Sequence, residues 1–169
     1  MKLFCGMVFG LAAVALGSGQ AMAEGWVLTS AAAGQDLQLS YAATDQVPGY
    51  LFDCTATEIA VTEFGVTDLL DLQTGQKIDD APGSVMTPGA SVMALFTGKG
   101  QPDFLPAESV PNAVKGWDMT IHFSKGDKRL RAFGKSDMIS LFTTGYTAAV
   151  EMDKDDQALA RDFLKACSG

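Results

Sequence analysis

The chain has 169 residues and a formal net charge of −8, because 20 acidic residues outnumber 12 basic ones. This length fits one domain with a core of ordinary size. Nucleic-acid binding needs a basic footprint, so the excess of acid excludes nucleic acid as an expected partner.

The first 23 residues have the pattern of a cleaved secretory signal peptide. Lys2 precedes an uncharged apolar run from Leu3 to Gly17, and Ala21-Met22-Ala23 supplies the small residues that signal peptidase reads. The run is shorter than the roughly 18–20 residues of a membrane-spanning helix, and no second run of that length follows. We therefore expect export, no transmembrane segment after cleavage, and a single β-rich domain over 24–169.

Two cysteines remain after the predicted cleavage, which removes Cys5. Cys54 and Cys167 are an even number in an oxidising compartment, which predicts one disulfide between them. The alternative is a reactive thiol, but the Cys-x-x-Cys turn typical of redox pairs is missing from the sequence. We favour the structural disulfide.

The first half of the predicted domain reads as short strands separated by turns. Apolar and polar residues alternate over Leu37 to Tyr41, and Tyr50 to Cys54 follows a Pro-Gly turn. Ile59 to Thr62 is rich in β-branched residues. Leu69 to Leu72 and Lys77-Ile78 flank a polar turn and predict a hairpin.

Residues 79–112 contain five of the six prolines of the chain. One strand-like run, Ser91 to Thr97, interrupts this segment. The pattern predicts a long surface loop with an embedded strand. Long loops carry functional residues more often than the elements that they join.

Trp117 to Phe123 has the clearest strand pattern, and the turn after it predicts a hairpin whose second strand is Lys128 to Phe133. This hairpin holds much of the positive charge of the chain. We interpret the cluster either as a contact site for an anionic partner or as a solvated hairpin that protects a sheet edge. Its members are Lys125, Lys128, Arg129, Arg131 and Lys135.

The C-terminal part predicts a short helix over 138–142 after an N-cap at Ser136, a strand over 146–152, and a final helix. Aspartates from Asp153 onward suit the positive end of that last helix. Its apolar face carries Leu159, Phe163 and Cys167. The predicted fold class is α+β: an antiparallel sheet or sandwich-like core with a short helix and a C-terminal helix packed on it.

The sequence offers no recognisable catalytic, metal or cofactor motif. His122 is the one histidine, and no nucleophile motif lies near it. Gly98-Lys99-Gly100 lacks the upstream glycine and the following Ser or Thr of a phosphate loop. The aspartates at 153–156 lack the ligand spacing of a calcium loop and are explained by helix capping. We therefore predict no catalytic residue, no metal ligand and no cofactor.

The tail over 136–150, followed by Ala160-Arg161-Asp162-Phe163-Leu164-Lys165-Ala166-Cys167, resembles small exported Gram-negative proteins of uncharacterised function. These proteins also end in a helix with a Phe-Leu-x-x-Cys sequence. More distantly, the tail is similar to the invasion-associated locus B family, which are secreted envelope proteins linked to host-cell entry. The resemblance implies a periplasmic or secreted location in a Gram-negative bacterium.

Export, the disulfide and the missing catalytic motifs favour a non-enzymatic protein that binds another envelope component. One alternative is a hydrolase whose carboxylates meet only in the fold, with Glu58, Glu63 and Glu108 as candidates. A second alternative is an inhibitor of a basic secreted enzyme such as lysozyme. This inhibitor would use the acidity of the chain to dock its target.

Overall fold

A computed structural model describes residues 25–29, 37–42, 49–145 and 148–168. The predicted signal peptide lies outside these residues and stays a prediction. In the part of the chain that is described, no helix is both long and apolar enough to cross a membrane.

Two antiparallel sheets and two helices make up the described fold. The strands are β1 (Trp26–Thr29), β2 (Leu37–Tyr41), β3 (Tyr50–Cys54), β4 (Glu58–Val66), β5 (Val92–Phe96), β6 (Leu105–Pro106), β7 (Glu108–Pro111), β8 (Trp117–Ser124), β9 (Met138–Phe142) and β10 (Ala149–Glu151). The helices are α1 (Lys128–Phe133) and α2 (Lys154–Ser168). One sheet has six strands in the order β1-β2-β3-β4-β8-β7, and the other has four in the order β10-β9-β5-β6.

The six-stranded sheet buries one face, as the alternation in its sequence predicts. In β8, Trp117 and Phe123 are buried, whereas His122 is exposed. The helices pack on the buried side, where the ring of Phe52 stacks on Phe133 of α1 at 4.6 Å and meets Phe163 of α2 edge-on at 6.3 Å. The opposite face of this sheet is called the open face below.

The four-stranded sheet lies on the same buried side. The Tyr50 hydroxyl donates a hydrogen bond to the carbonyl oxygen of Ala148, next to β10, at 3.0 Å. Ser109 of β7 and Ser91, just before β5, share a hydrogen bond of 2.8 Å. The core is therefore a layer between two sheets that the helices complete.

The predicted disulfide is confirmed. Cys54 at the end of β3 is bonded to Cys167 in the last turn of α2, with their Cα atoms 5.8 Å apart. The covalent bond fixes the C-terminal helix on the sheet. The predicted α+β class, with antiparallel strands and a C-terminal helix packed on them, is confirmed as well.

The predicted second strand of the hairpin, 128–133, is wrong, because this segment is helix α1. The Asp127 side chain accepts a hydrogen bond from the backbone N–H of Arg129 and caps the helix. Leu130 and Phe133, three residues apart, both point into the core, a spacing that fits a helix and not a strand. Arg129 and Arg131 therefore do not share a strand face.

The predicted helix over 138–142 is also wrong, since these residues form β9 between β5 and β10. Ser136 does not cap a helix. Its hydroxyl instead donates to the backbone carbonyl of Thr97 at 2.9 Å and joins the start of β9 to the end of β5. The strand expected over 146–152 is confirmed for Ala149–Glu151, and residues 146 and 147 lie outside the described part.

The middle of the chain contains more regular secondary structure than its proline content indicates. The hairpin predicted between Leu69 and Ile78 is reduced to a single bridge between Leu70 and Lys77 around a turn. The strand expected over 91–97 is confirmed as β5. Segment 79–112 also contains the short strands β6 and β7, which pair with different sheets.

Candidate functional site

Five of the twelve basic residues of the chain gather at a cleft beside α1. Two adjoining hollows, of about 250 and 450 Å³, form this cleft and share Thr97, Lys99 and Ala132 in their walls. Four lysines from separate segments line it, and together they define what we call the lysine cleft: Lys99, Lys128, Lys135 and Lys154.

Lys99 lies at the junction of the two hollows because of the glycines on either side of it. Gly98 and Gly100 have φ angles of 77° and 80°, in the left-handed region that glycine adopts without strain. A side chain at Gly98 would also come within 3.1 Å of the Met138 side chain. The Gly-Lys-Gly sequence is therefore a tight turn after β5 that brings one ammonium group between the two halves of the cleft.

Three of the five predicted patch residues line the cleft, and two do not. Lys128 and Lys135 line it from α1 and the turn after α1, and Arg129 lines the smaller hollow. Lys125 and Arg131 are not among the residues of its walls. The change from strand to helix separates Arg129 from Arg131, because residues two apart share a face of a strand but not of a helix, and Lys125 lies before the helix begins.

Arg129 is held by the fold. Its guanidinium donates to the carboxylate of Asp127 at 2.7 Å and to that of Asp103 at 2.9 Å, and it lies 5.0 Å from the ring centre of Phe123. The hydrogen bonds between the side chains of Arg129 and Asp127 lower the pKa of Asp127 and raise that of Arg129. We therefore assign Arg129 a structural role, in which it fixes the turn before α1 and the loop that contains Asp103.

The four lysines have no such partners. Within the described residues, no carboxylate oxygen lies within 4.0 Å of the ammonium groups of Lys99, Lys128, Lys135 or Lys154. Two carboxylates, Asp103 and Asp137, also line the cleft. The cleft is thus a positive region on an acidic chain, and positive charge in a concave surface attracts anions from a distance.

The carboxylates proposed for a hydrolase separate into two places. On the open face, His122 contacts Glu58 through Nδ1 at 2.8 Å and approaches Glu108 through Nε2 at 3.6 Å. Glu63 faces the opposite way, into the core, directly across from Tyr50 and Met119 in the sheet. Glu58 and Glu108 therefore meet at the histidine, whereas Glu63 is separated from them because it lies on the other face of the sheet.

Glu63 is fully buried, and neither of its carboxylate oxygens has a hydrogen-bond partner in the part of the chain that the structure describes. Desolvation by burial raises its pKa to about 8. The side chain is therefore a neutral carboxylic acid at neutral pH. Because it is sealed from solvent, it has no route to a substrate in this conformation.

Sequence reasoning missed Lys99 and Lys154 as members of the cleft. Lys99 had a signal, since a lysine between two glycines after a strand indicates a tight turn that exposes it. Lys154 had none, because its position beside α1 depends on how α2 packs. No protein-family model matches this chain, and no curated protein or solved structure is significantly similar to it.

Proposed function

We propose that this chain is an exported protein of the cell envelope that binds an anionic partner at the lysine cleft without catalysing a reaction. The observation that carries the proposal is the convergence on one cleft of four lysines that have no carboxylate partner among the described residues, in a chain with net charge −8. Export is supported by the signal-peptide pattern and by a disulfide of the kind found in oxidising compartments.

Binding explains the cleft better than protection of a sheet edge does. Charges that protect an edge lie on the edge strand itself. These lysines instead come from the turn after β5, from α1 and the turn after it, and from the start of α2. Their common feature is the space that they surround.

The function is tested by neutralising two of the lysines, Lys99→Gln and Lys135→Gln, and measuring calorimetric binding of dextran sulfate, a soluble polyanion, at low salt. Each exposed ammonium contact contributes roughly 0.5–1 kcal/mol, so the double variant should bind about 5- to 30-fold more weakly. The control Lys115→Gln with Lys165→Gln removes the same charge elsewhere on the chain.

We expect the control to change the affinity by less than about twofold, because neither of its lysines lines the cleft. Equal weakening by both pairs would show that net charge alone attracts the polyanion. The absence of binding by the unmodified protein would also reject the proposal.

A further inference from the structure

The open face of the six-stranded sheet is uncovered in the described structure. Both helices and the four-stranded sheet contact the opposite face, through residues such as Phe52, Tyr50 and Ser109. Within the described residues, no helix or strand packs over the outward-facing side chains. The result is a broad sheet surface whose side chains are available to a partner.

The charged groups of this face are mainly carboxylates, and within the described strands its one other titratable side chain is His122, which contacts Glu58 and Glu108. Its outward-facing strand residues include four carboxylates and, in the described strands, no lysine or arginine. The lysine cleft lies on the other side of the sheet, next to α1 and α2. The four carboxylates of the open face belong to Asp53, Glu58, Glu108 and Asp118.

Three of the four carboxylates are held in place before any partner arrives. Asp53 accepts a hydrogen bond from Gln38 at 3.2 Å, and Glu58 contacts His122. Asp118 accepts from the backbone of Gly65 at 3.0 Å and from a side-chain amide at 2.7 Å. Side chains that are already ordered lose little conformational entropy on binding, so such a surface is favourable for recognition.

Apolar side chains lie among these charges. Val27, Phe64 and Val110 are 50%, 38% and 58% exposed. Val27 and Thr62 belong to one row across the sheet, which ends at Glu108 on β7. Apolar area combined with charged groups is the composition of protein–protein interfaces.

We propose that the open face docks a protein with a basic surface. Charge complementarity favours this occupant, because lysine and arginine side chains would meet four carboxylates and, in the described strands of this face, no lysine or arginine. A second copy of this chain is disfavoured, since a symmetric pair would place one set of carboxylates against the other. The inference uses a surface separate from the lysine cleft and does not depend on the function proposed for that cleft.

The test uses two basic proteins of different fold, lysozyme and cytochrome c, as probes at low ionic strength. Asp53→Asn with Glu108→Gln keeps the shape of the side chains and removes two charges from the open face. Asp155→Asn with Asp162→Asn removes two exposed charges from α2 and is the matched control. Thermal unfolding of each variant establishes that the fold is retained.

We expect the unmodified protein to bind at least one probe, and the open-face variant to bind about tenfold more weakly with a smaller dependence on salt. The α2 control and the Lys99→Gln/Lys135→Gln variant should retain the affinity. The proposal would be overturned if the unmodified protein bound neither probe, or if the open-face variant and the α2 control lost affinity equally. Self-association through the open face in place of probe binding would also overturn it. Because the cleft variant is measured in parallel, failure here is distinguishable from failure at the cleft.

Discussion

Replacing Glu63 by glutamine should stabilise the protein, and the gain should increase with pH. In the folded protein the pKa of Glu63 is raised to about 8 by burial, whereas an ordinary glutamate has a value of 4.5. Below pH 4.5 both states are protonated and the carboxyl carries no ionic penalty. Between 4.5 and 8 the unfolded chain releases the proton and the folded chain keeps it.

The folded state then binds one proton more than the unfolded state, so its stability falls by about 1.4 kcal/mol for each pH unit. From pH 4.5 to 7 this amounts to a loss of about 3 kcal/mol in the unmodified protein, and the loss levels off above pH 8. Glutamine does not titrate, so the variant lacks this loss. Its buried amide has an unfavourable desolvation energy, but that energy is independent of pH.

The assay is urea unfolding of both proteins at pH 5, 6, 7 and 8. The stability difference between Glu63→Gln and the unmodified protein should grow by about 1 kcal/mol per pH unit over this range. Glu151→Gln, at an exposed position of β10, is the control and should show a constant difference. Parallel stability curves for Glu63→Gln would refute the reasoning, since they would mean that the buried carboxyl ionises as readily as an exposed one.

Two further predictions concern stability. Replacing both Cys54 and Cys167 by serine removes the link that closes a loop of 113 residues, and denaturant unfolding should show that the free energy of unfolding falls by about 4 kcal/mol. In the unmodified, oxidised protein, thiol titration should find neither cysteine free. Gly145→Ala places a Cβ atom 2.4 Å from the backbone oxygen of Thr67, and we expect the free energy of unfolding to fall by about 1–3 kcal/mol because of this clash. An unchanged melting temperature would contradict this expectation.

The elements that the sequence predicted well are those whose pattern is long enough to have a period. Trp117 to Phe123 alternates over seven residues, and α2 combines a run of aspartates with an apolar face. The disulfide was predicted from the two cysteines that remain once the predicted cleavage removes Cys5. For the strand and the helix, the local sequence contains the physical cause of the structure.

Segments 128–133 and 138–142 were predicted the wrong way round because each is about as short as one and a half helical turns. At that length, alternation and helical spacing overlap. The decisive forces are tertiary: Asp127 caps α1 while Leu130 and Phe133 enter the core, and β9 obtains its hydrogen bonds from β5 and β10. Neither set of neighbours is visible in the local sequence.

Only part of the candidate site was predicted, and the reason is the same. Lys128 and Lys135 are close in sequence and were predicted together. Lys99 and Lys154 join them only because β5 ends beside α1 and α2 begins there. The pairing of Glu58 and Glu108 at His122 likewise depends on the order of the strands β4, β8 and β7. Sequence reasoning named the carboxylates but had no means to place them.

The bond between Cys54 and Cys167 also determines how the molecule responds to mechanical tension. A pull applied at residues 25 and 168 would pass from β3 directly through the sulfur atoms into the last turn of α2. Strands β1 to β3 could peel away, but everything between the two cysteines would be shielded from the force. The extension reached before a covalent bond must break is therefore limited to the first few strands, and every residue that lines the lysine cleft lies inside the shielded loop.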